Sequence, residues 1–191
     1  MKNRTVKKKR YICKTTMLMM IMCMLISVPV SAASLKSQAK KAYNTYMAGK
    51  HPNLKFALIY LDNNSVPELV VNDGTIYTYK KSSGVSLLQD DYEFDYKKYY
   101  KKKGVIYSEI IAGAIMDYDV FYYQRVSKGK LVHICRQEHY KSGKWIYYNP
   151  SFKKISKSKC NKQIKKYTGK KKATKIKYYL NTASKRAKYL K

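Results

Sequence analysis

Acidic residues are scarce in this sequence, and its last third has none. Asp and Glu together number 11 against 41 Lys and Arg in 191 residues, which gives a formal net charge of +30. No acidic residue follows Glu138, whereas residues 139–191 contain 18 lysines and arginines. A surplus of this size argues against a basic partner and favours a partner that is itself a polyanion.

The sequence also lacks the short motifs of common hydrolases and nucleotide-binding enzymes. It contains no G-x-S-x-G, no H-E-x-x-H and no glycine-rich phosphate loop. Asp117 and Asp119 would share one face of a strand, but they fit ordinary loop polarity. Glu138 and His139 are adjacent, so a strand would point them to opposite faces. We therefore expect no enzymatic activity; the alternative is a secreted enzyme or toxin whose site no motif reveals.

Long apolar runs are confined to the N-terminus. Residues 1–14 carry seven basic residues and no acid, and the sixteen residues 15–30 carry no charge. A basic segment, an apolar segment and small residues at Ser31 and Ala32 follow one another as in a signal peptide. The apolar run is shorter than the roughly 20 residues of a membrane-spanning helix. We therefore predict that residues 1–32 are a signal peptide, cleaved after Ala32.

Cleavage would leave residues 33–191 as a single secreted domain without a transmembrane span. This part of the chain has a net charge of +23, of which residues 139–191 contribute +18. The body, residues 33–138, is only mildly basic at +5, so the charge asymmetry lies within the domain. We expect a secreted monomer that is held loosely at the cell wall by what it binds.

Hydropathy patterns predict an α+β fold. Apolar residues recur at helical spacing over residues 34–50, and several short strand-like segments lie between residues 55 and 148. Residues 90–103 interrupt that pattern and are predicted as an exposed connection. Beyond residue 156 the pattern predicts a helix, a strand over 173–180 and a second helix. The predicted architecture is an N-terminal helix, an antiparallel β-meander of about seven to eight strands and a C-terminal helix–strand–helix.

Cysteine is rare, and only Cys135 and Cys160 remain after the predicted cleavage. In the oxidising surroundings of an exported protein they can form a disulfide; two unpaired buried thiols are the open alternative. A zinc site would require these cysteines to combine with His133 and His139. Strand alternation would place His133 on the same face as Cys135, but the spacing matches no standard zinc-binding pair.

A possible calcium loop lies between two predicted strands. Residues 57–71 read A-L-I-Y-L-D-N-N-S-V-P-E-L-V-V. The segment resembles the D-x-D-x-D-G-x-P-E-L strand–loop–strand unit of FG-GAP/VCBS-like calcium loops. It is more similar to a degenerate form in uncharacterised small secreted proteins of anaerobic Gram-positive bacteria, which also have a preceding helix, a tyrosine-rich antiparallel meander and a lysine-rich end. The resemblance implies Asp62, Asn64 and Glu68 as calcium ligands.

The loop departs from that pattern at two positions. Tyr60 stands in place of the first Asp, and Ser65 stands in place of the Gly. Calcium takes roughly 6–8 oxygen ligands, whereas this segment offers two carboxylates and one amide. A polar hairpin turn, in which Asp and Asn side chains bind the local backbone, fits the residues better. We therefore expect no cofactor.

The remaining candidate is a cluster of lysines interleaved with Tyr167, Tyr178 and Tyr179. The predicted polyanion-binding residues are Lys165, Lys166, Lys170, Lys171, Lys172, Lys175 and Lys177. A polyanion that binds such a surface releases its counterions, and aromatic rings can stack on sugars or bases. The cluster therefore combines the two features that a polyanion-binding surface uses.

The type of cation narrows the class of partner. Nearly all of the positive charge after Glu138 is Lys, a hydrated point charge without the planar fork of Arg. Lysine favours sequence-blind attraction and argues against specific nucleic-acid recognition. We expect a non-enzymatic binding or structural domain that associates electrostatically with anionic cell-envelope polymers, such as teichoic acids or acidic glycans. The alternative is a binder of extracellular DNA or of host glycosaminoglycans.

Overall fold

The computed structural model describes residues 32–50, 53–110 and 117–191. The predicted signal peptide lies outside the described residues, apart from Ala32, the expected cleavage position and the first residue of the first helix. The helices of the described part are α1 (Ala32–Lys50), α2 (Lys157–Thr168) and α3 (Ala183–Tyr189). Its strands are β1 (Lys55–Ile59), β2 (Glu68–Val71), β3 (Thr75–Lys80), β4 (Gly84–Asp90), β5 (Phe94–Tyr100), β6 (Val105–Ile110), β7 (Tyr118–Ser127), β8 (Lys130–Tyr140), β9 (Trp145–Tyr148), β10 (Lys154–Ile155), β11 (Thr174–Lys175) and β12 (Tyr179–Leu180).

The strands form two antiparallel sheets in which most neighbours along the chain pair with each other. Sheet A has the order β12-β1-β2-β3-β4, and sheet B has the order β10-β9-β8-β7-β6-β5-β11. This arrangement confirms the predicted α+β class, the N-terminal helix and the antiparallel meander. The structure has more strands than predicted. Three of them, β10, β11 and β12, are only two residues long, and the segment 90–103 contains a further strand.

The segment 90–103, predicted as an exposed connection, is instead the end of β4 followed by β5. Phe94, Tyr96 and Tyr99 of β5 are buried in the core between the sheets. A β-bulge between Tyr96 and Lys98 shifts the register of β5 against β6. The extra residue disrupts the strict alternation by which a strand is recognised in a sequence.

A close approach at Gly74 lets the chain pass from sheet A to sheet B. Gly74 has a φ of +85° in the turn between β2 and β3, and a Cβ atom there would collide with the carbonyl oxygen of Asp91. The Asp91 amide donates to the Gly74 carbonyl at 3.4 Å, so the link between β4 and β5 runs directly against this turn. Glycine is required here because it tolerates both the positive φ and the contact.

Four layers stack in the order α1, sheet A, sheet B, α2. The core between the sheets consists of Ala57, Ile59, Leu61, Val70, Ile76, Phe94, Tyr96, Tyr99, Ile106, Val120, Tyr122 and Ile176. On the outer face of sheet A, α1 packs through Ala39, Tyr43 and Met47. On the outer face of sheet B, α2 packs through Cys160 and Ile164. The unbroken apolar run of β2, in which all four residues are buried, follows from this covering of both faces.

The basic C-terminal segment ties the two sheets together at one edge. β11 pairs with β5 of sheet B, and β12 pairs with β1 of sheet A. Between these strands Ile176 is buried in the core between the sheets, and the Tyr178 hydroxyl donates to the Tyr96 carbonyl at 3.1 Å. The single strand predicted over residues 173–180 therefore divides into two short strands that belong to different sheets.

A disulfide joins Cys135 of β8 to Cys160 of α2, with the two Cα atoms 5.9 Å apart. Both cysteines are fully buried and pack with Ile164 against sheet B. The helix begins at Ser156, whose hydroxyl accepts a hydrogen bond from the Lys159 amide. Of the two alternatives that the sequence leaves open, the structure has the bonded pair.

Reduction of the Cys135–Cys160 disulfide should destabilise the folded protein by about 3 kcal/mol, because the bond restricts the unfolded chain. The measurement is the midpoint of urea unfolding with and without a reductant. The control is a Cys135→Ser, Cys160→Ser double variant, whose midpoint should be equally low in both buffers. An unchanged midpoint of the parent protein, after thiol counting has verified complete reduction, would contradict the prediction.

Candidate polyanion-binding surface

The seven predicted lysines are all exposed, and three of them lie on a helix or a strand. Lys165 and Lys166 belong to the last turns of α2, and Lys175 belongs to β11. The connection after α2 carries Lys170, Lys171 and Lys172, and Lys177 follows β11. None of the seven takes part in an ion pair among the described residues, where the paired lysines are Lys97 and Lys141. Their charges are therefore available to a ligand.

The chain end adds further positive charge next to these lysines. The Tyr179 and Tyr189 rings stack with their centroids 3.8 Å apart. A hydrogen bond with the Tyr179 hydroxyl holds the pKa of Tyr189 below its ordinary value, with smaller contributions from the charges of Lys188, Lys185 and Lys177. These three lysines place positive charge at the surface where the two tyrosines meet.

All three tyrosines predicted to accompany the lysines are half-buried and pack against a core cluster, and two of them also lie beside cations. Tyr167 has the Arg125 guanidinium 4.8 Å from its ring centroid and Lys166 at 5.7 Å. Tyr179 has the Lys177 ammonium at 5.8 Å from its ring centroid. Tyr178 instead packs against the core between the sheets. Strand alternation accounts for the difference, since Tyr178 lies on the inward face with Ile176.

A cavity of about 240 Å³ opens beside two of the predicted lysines. Its lining residues are Phe56, Leu58, Ile59, Tyr99, Lys175, Ile176, Lys177, Tyr179 and Tyr189. It arises because β12 pairs only with Lys55 and Phe56 of β1, after which the segment towards β11 diverges from that strand. Sequence reasoning missed the cavity because its walls come from three segments far apart in the chain.

The predicted calcium ligands bind donors of their own loop. Asp62 accepts hydrogen bonds from the Asn64 backbone amide at 3.0 Å and the Asn64 side-chain amide at 2.7 Å. The Asn64 side-chain oxygen accepts from the Val66 amide at 2.7 Å. Glu68 is buried, and its Oε2 accepts from the Leu61 amide at 2.8 Å. The described residues contain no group of three or more His, Cys, Asp or Glu that could hold a metal ion.

Burial also changes the charge of Glu68. Desolvation, with a smaller contribution from the nearby Asp62 charge, raises the pKa of this carboxyl to about 8 despite the lowering effect of the Leu61 hydrogen bond. Glu68 is therefore mainly protonated at neutral pH, whereas calcium binds ionised carboxylates. The segment has the geometry of a polar turn whose oxygens are occupied by local donors.

Glu138 and His139, adjacent in β8, face opposite sides of sheet B. Glu138 is buried, and its Oε1 lies 2.6 Å from Nη2 of Arg136. Its Oε2 accepts from the Tyr140 and Tyr148 hydroxyls, each at 3.0 Å. His139 stacks on Trp145 with a centroid distance of 4.3 Å. The sequence reading did not include Arg136, although a basic residue two positions from an acid in a strand signals such a pair.

The other residues considered for catalysis or zinc binding do not come together in one site either. Asp117 is exposed and lies 3.4 Å from the Lys141 ammonium, and Asp119 is exposed on β7. The prediction that His133 and Cys135 share a face is wrong. A β-bulge in the pairing of β7 with β8 intervenes between them, so that His133 packs on Tyr122 at 4.9 Å while Cys135 is bonded to α2.

Comparisons with known proteins give no indication of what this surface binds. No protein-family model matches the chain, and no curated protein or solved structure matches it significantly. In the described ranges, none of the helices combines the length and the apolar content that a membrane crossing requires. Charge, exposure and the adjoining cavity are therefore the features from which a function is inferred.

Calcium should leave the stability of the protein unchanged, because the oxygens of Asp62 and Asn64 already accept local hydrogen bonds. Thermal unfolding in millimolar calcium and in a chelator should give the same midpoint. Asp62→Ala serves as the matched variant, and it should also be insensitive to calcium. A calcium-dependent rise of several degrees that Asp62→Ala abolishes would show that the loop binds the ion.

Stability should fall as the pH rises towards the pKa of about 8 that burial gives to Glu68. The folded protein retains this proton between the ordinary pKa of a Glu and about 8, whereas the unfolded chain releases it, so raising the pH favours unfolding. The Glu68→Gln variant should lose this dependence while keeping an acceptor for the Leu61 amide. Urea unfolding at several values between pH 5 and 9 measures it, and parallel profiles of both proteins would refute it.

Proposed function

We propose that this protein is an exported, non-enzymatic binding domain that associates electrostatically with anionic cell-envelope polymers or acidic glycans. The observation that carries the proposal is the set of seven exposed lysines without an ion-pair partner among the described residues. They belong to a segment of 53 residues with 18 basic residues and no acid. A soluble surface does not need so complete an exclusion of acids.

The basic segment, residues 139–191, is anchored to the rest of the fold, and this favours a role in binding over a role in solubility alone. The disulfide holds α2 against sheet B, and pairing with β5 holds the lysine of β11 at the edge of that sheet. The positive charges therefore occupy a fixed surface. A polyanion that binds this surface releases many counterions at once, and the affinity should fall steeply as salt is added.

The expected signal peptide and the type of cation indicate where this surface acts. Residues 1–32 would direct the protein out of the cell, where teichoic acids and acidic glycans carry dense negative charge. Lysine attracts such polymers without reading a sequence or a fixed phosphate geometry. Wall attachment of this kind is reversible, so a shift in ionic strength should release the protein.

Replacing lysines of the basic segment should weaken polymer binding far more than replacing lysines of the body. The test variant carries Lys165→Gln, Lys166→Gln, Lys170→Gln and Lys172→Gln. The matched control carries Lys80→Gln, Lys81→Gln, Lys103→Gln and Lys130→Gln, all at exposed positions. At low salt, the test variant should lose about tenfold or more in affinity for isolated cell walls, and its salt dependence should decrease by roughly one unit per contacting lysine.

The protein without substitutions should sediment with cell walls at low salt. It should be released by roughly 0.5 M salt, where the electrostatic screening length is only a few ångströms. Parallel titrations on wall polymer, heparin and duplex DNA identify the preferred polyanion. Equal losses in the test and control variants would show that only net charge matters. Undiminished binding to walls stripped of their anionic polymers would exclude the proposal.

A further inference from the structure

The cavity beside Lys175 and Lys177 lies at the edge where the C-terminal segment crosses between the sheets. One wall is β1, where the pairing with β12 ends at Phe56 and leaves Leu58 and Ile59 facing the cavity. The opposite wall is the segment after β11, whose first residue, Ile176, donates its backbone amide to the Lys97 carbonyl at 2.9 Å. Backbone hydrogen bonds to neighbouring strands therefore anchor both walls of the cavity.

The lining of the cavity is amphipathic and positively charged. Phe56, Ile59 and Ile176 line it as buried residues, Leu58 is partly exposed, and Tyr99, Tyr179 and Tyr189 add aromatic rings. Lys175 and Lys177 are exposed, and none of the nine described lining residues is acidic. A ligand that fits this lining combines a compact ring with a negative charge, because buried apolar area and charge-assisted hydrogen bonds both stabilise the complex.

The size of the cavity limits the ligand to one ring. Its volume of about 240 Å³ is below the roughly 300–1,000 Å³ of pockets that hold drug-sized molecules. A polymer can therefore place one of its units inside while the rest follows the exposed lysines outside. Lys175 and Lys177 belong both to the cavity and to the proposed polyanion-binding residues, so the two surfaces are continuous.

The tyrosine pair at the cavity suits a hydroxylated ring. Tyr179 and Tyr189 stack at 3.8 Å, and their hydroxyls are hydrogen-bonded to each other. A tyrosine hydroxyl can both donate and accept, so the pair can also hydrogen-bond a ligand. The lysine charges that favour the ionised form of Tyr189 would equally favour an anionic group at this position. Hydroxyl and ammonium groups thus converge on a space whose floor is apolar.

We propose that this cavity binds a single acidic sugar unit, a pyranose ring that carries a carboxylate or a phosphate. The inference rests on the proposed function, since such a unit would belong to the polymer that the outer lysines attract. The ring packs on Ile176 and the tyrosines, the acidic group binds Lys175 and Lys177, and a ring hydroxyl accepts a hydrogen bond from Tyr189. The outer lysines supply attraction and the cavity supplies selectivity for a monosaccharide.

The test uses free monosaccharides, which are too small to span the outer lysines. Titrations of the purified protein with glucuronate, glucose 6-phosphate and glucose are followed by the NMR signals of the tyrosine rings. We expect saturable shifts of Tyr179 and Tyr189 with at least one of the two acidic sugars, and at least tenfold weaker binding of glucose. The two acidic sugars distinguish a carboxylate from a phosphate. Absence of saturable shifts with both would overturn the proposal.

Variants separate the cavity from the outer surface. Leu58→Phe fills the cavity without changing the charge and should abolish binding of the acidic sugar, whereas Leu87→Phe, at an exposed position on β4, should not. Tyr189→Phe keeps the ring and should weaken binding severalfold by removing one hydroxyl. Equal binding by Leu58→Phe, with an unfolding midpoint like that of the parent protein, would also overturn the proposal.

The two proposals can fail separately. The variant with Gln at positions 165, 166, 170 and 172 should lose affinity for cell walls but bind the acidic monosaccharide normally, because it retains Lys175 and Lys177. If that variant loses wall binding and no acidic monosaccharide binds, the proposed function is supported and the cavity is not a sugar-binding site. Normal wall binding in that variant, with monosaccharide binding intact, rejects the outer lysines and leaves the cavity as the binding site.

Discussion

Apolar anchoring of a highly charged segment is the constraint on which the rest of this structure depends. The last 53 residues carry 18 positive charges and no negative ones, so they repel one another and resist compaction. Four buried side chains, Cys160, Ile164, Ile176 and Leu190, nevertheless fix the segment to three separate clusters of the core. Each fully buried aliphatic side chain contributes roughly 1.5–3 kcal/mol. The spacing of these anchors leaves the intervening lysines at the surface, so a packing pattern determines the arrangement of the charges.

Local patterns in the sequence predicted the elements better than the way the elements combine. Helical periodicity identified α1 and α2, because each has one apolar stripe facing a sheet. The division into two sheets was not predicted, since strand pairing at a distance leaves no local trace. The β-bulges at Tyr96 and between His133 and Cys135 were not predicted either. One extra residue in a strand turns every side chain beyond it to the opposite face of the sheet.

At the candidate site, too, features that depend on neighbouring residues could be predicted, whereas features that depend on contacts distant along the chain could not. Exposure of the lysines followed from their charge, and local hydrogen bonding explains why Asp62 and Asn64 form a turn. The burial of Glu68 could not be predicted from its neighbours in the sequence, because residues distant along the chain, Tyr43 of α1 and Tyr99 of β5, lie near its carboxyl group. Tyr178 and Tyr179 are adjacent and chemically identical, yet Tyr178 packs against the core between the sheets, whereas Tyr179 packs against the cluster beneath α1 and lines the cavity. Their different roles arise from the crossing of the segment between two sheets.

The pairing of β12 with β1 has a consequence for the order in which the chain folds. β1 is apolar, but its outer neighbour consists of residues 179 and 180, which follow it at a long distance along the chain. Until they arrive, β1 presents an open edge to which another chain can add a strand. The segment that finally closes this edge is flanked by lysines, and flanking charge is a common means of suppressing aggregation around apolar strands. In the folded protein the basic segment therefore covers a strand edge that would otherwise be open to self-association.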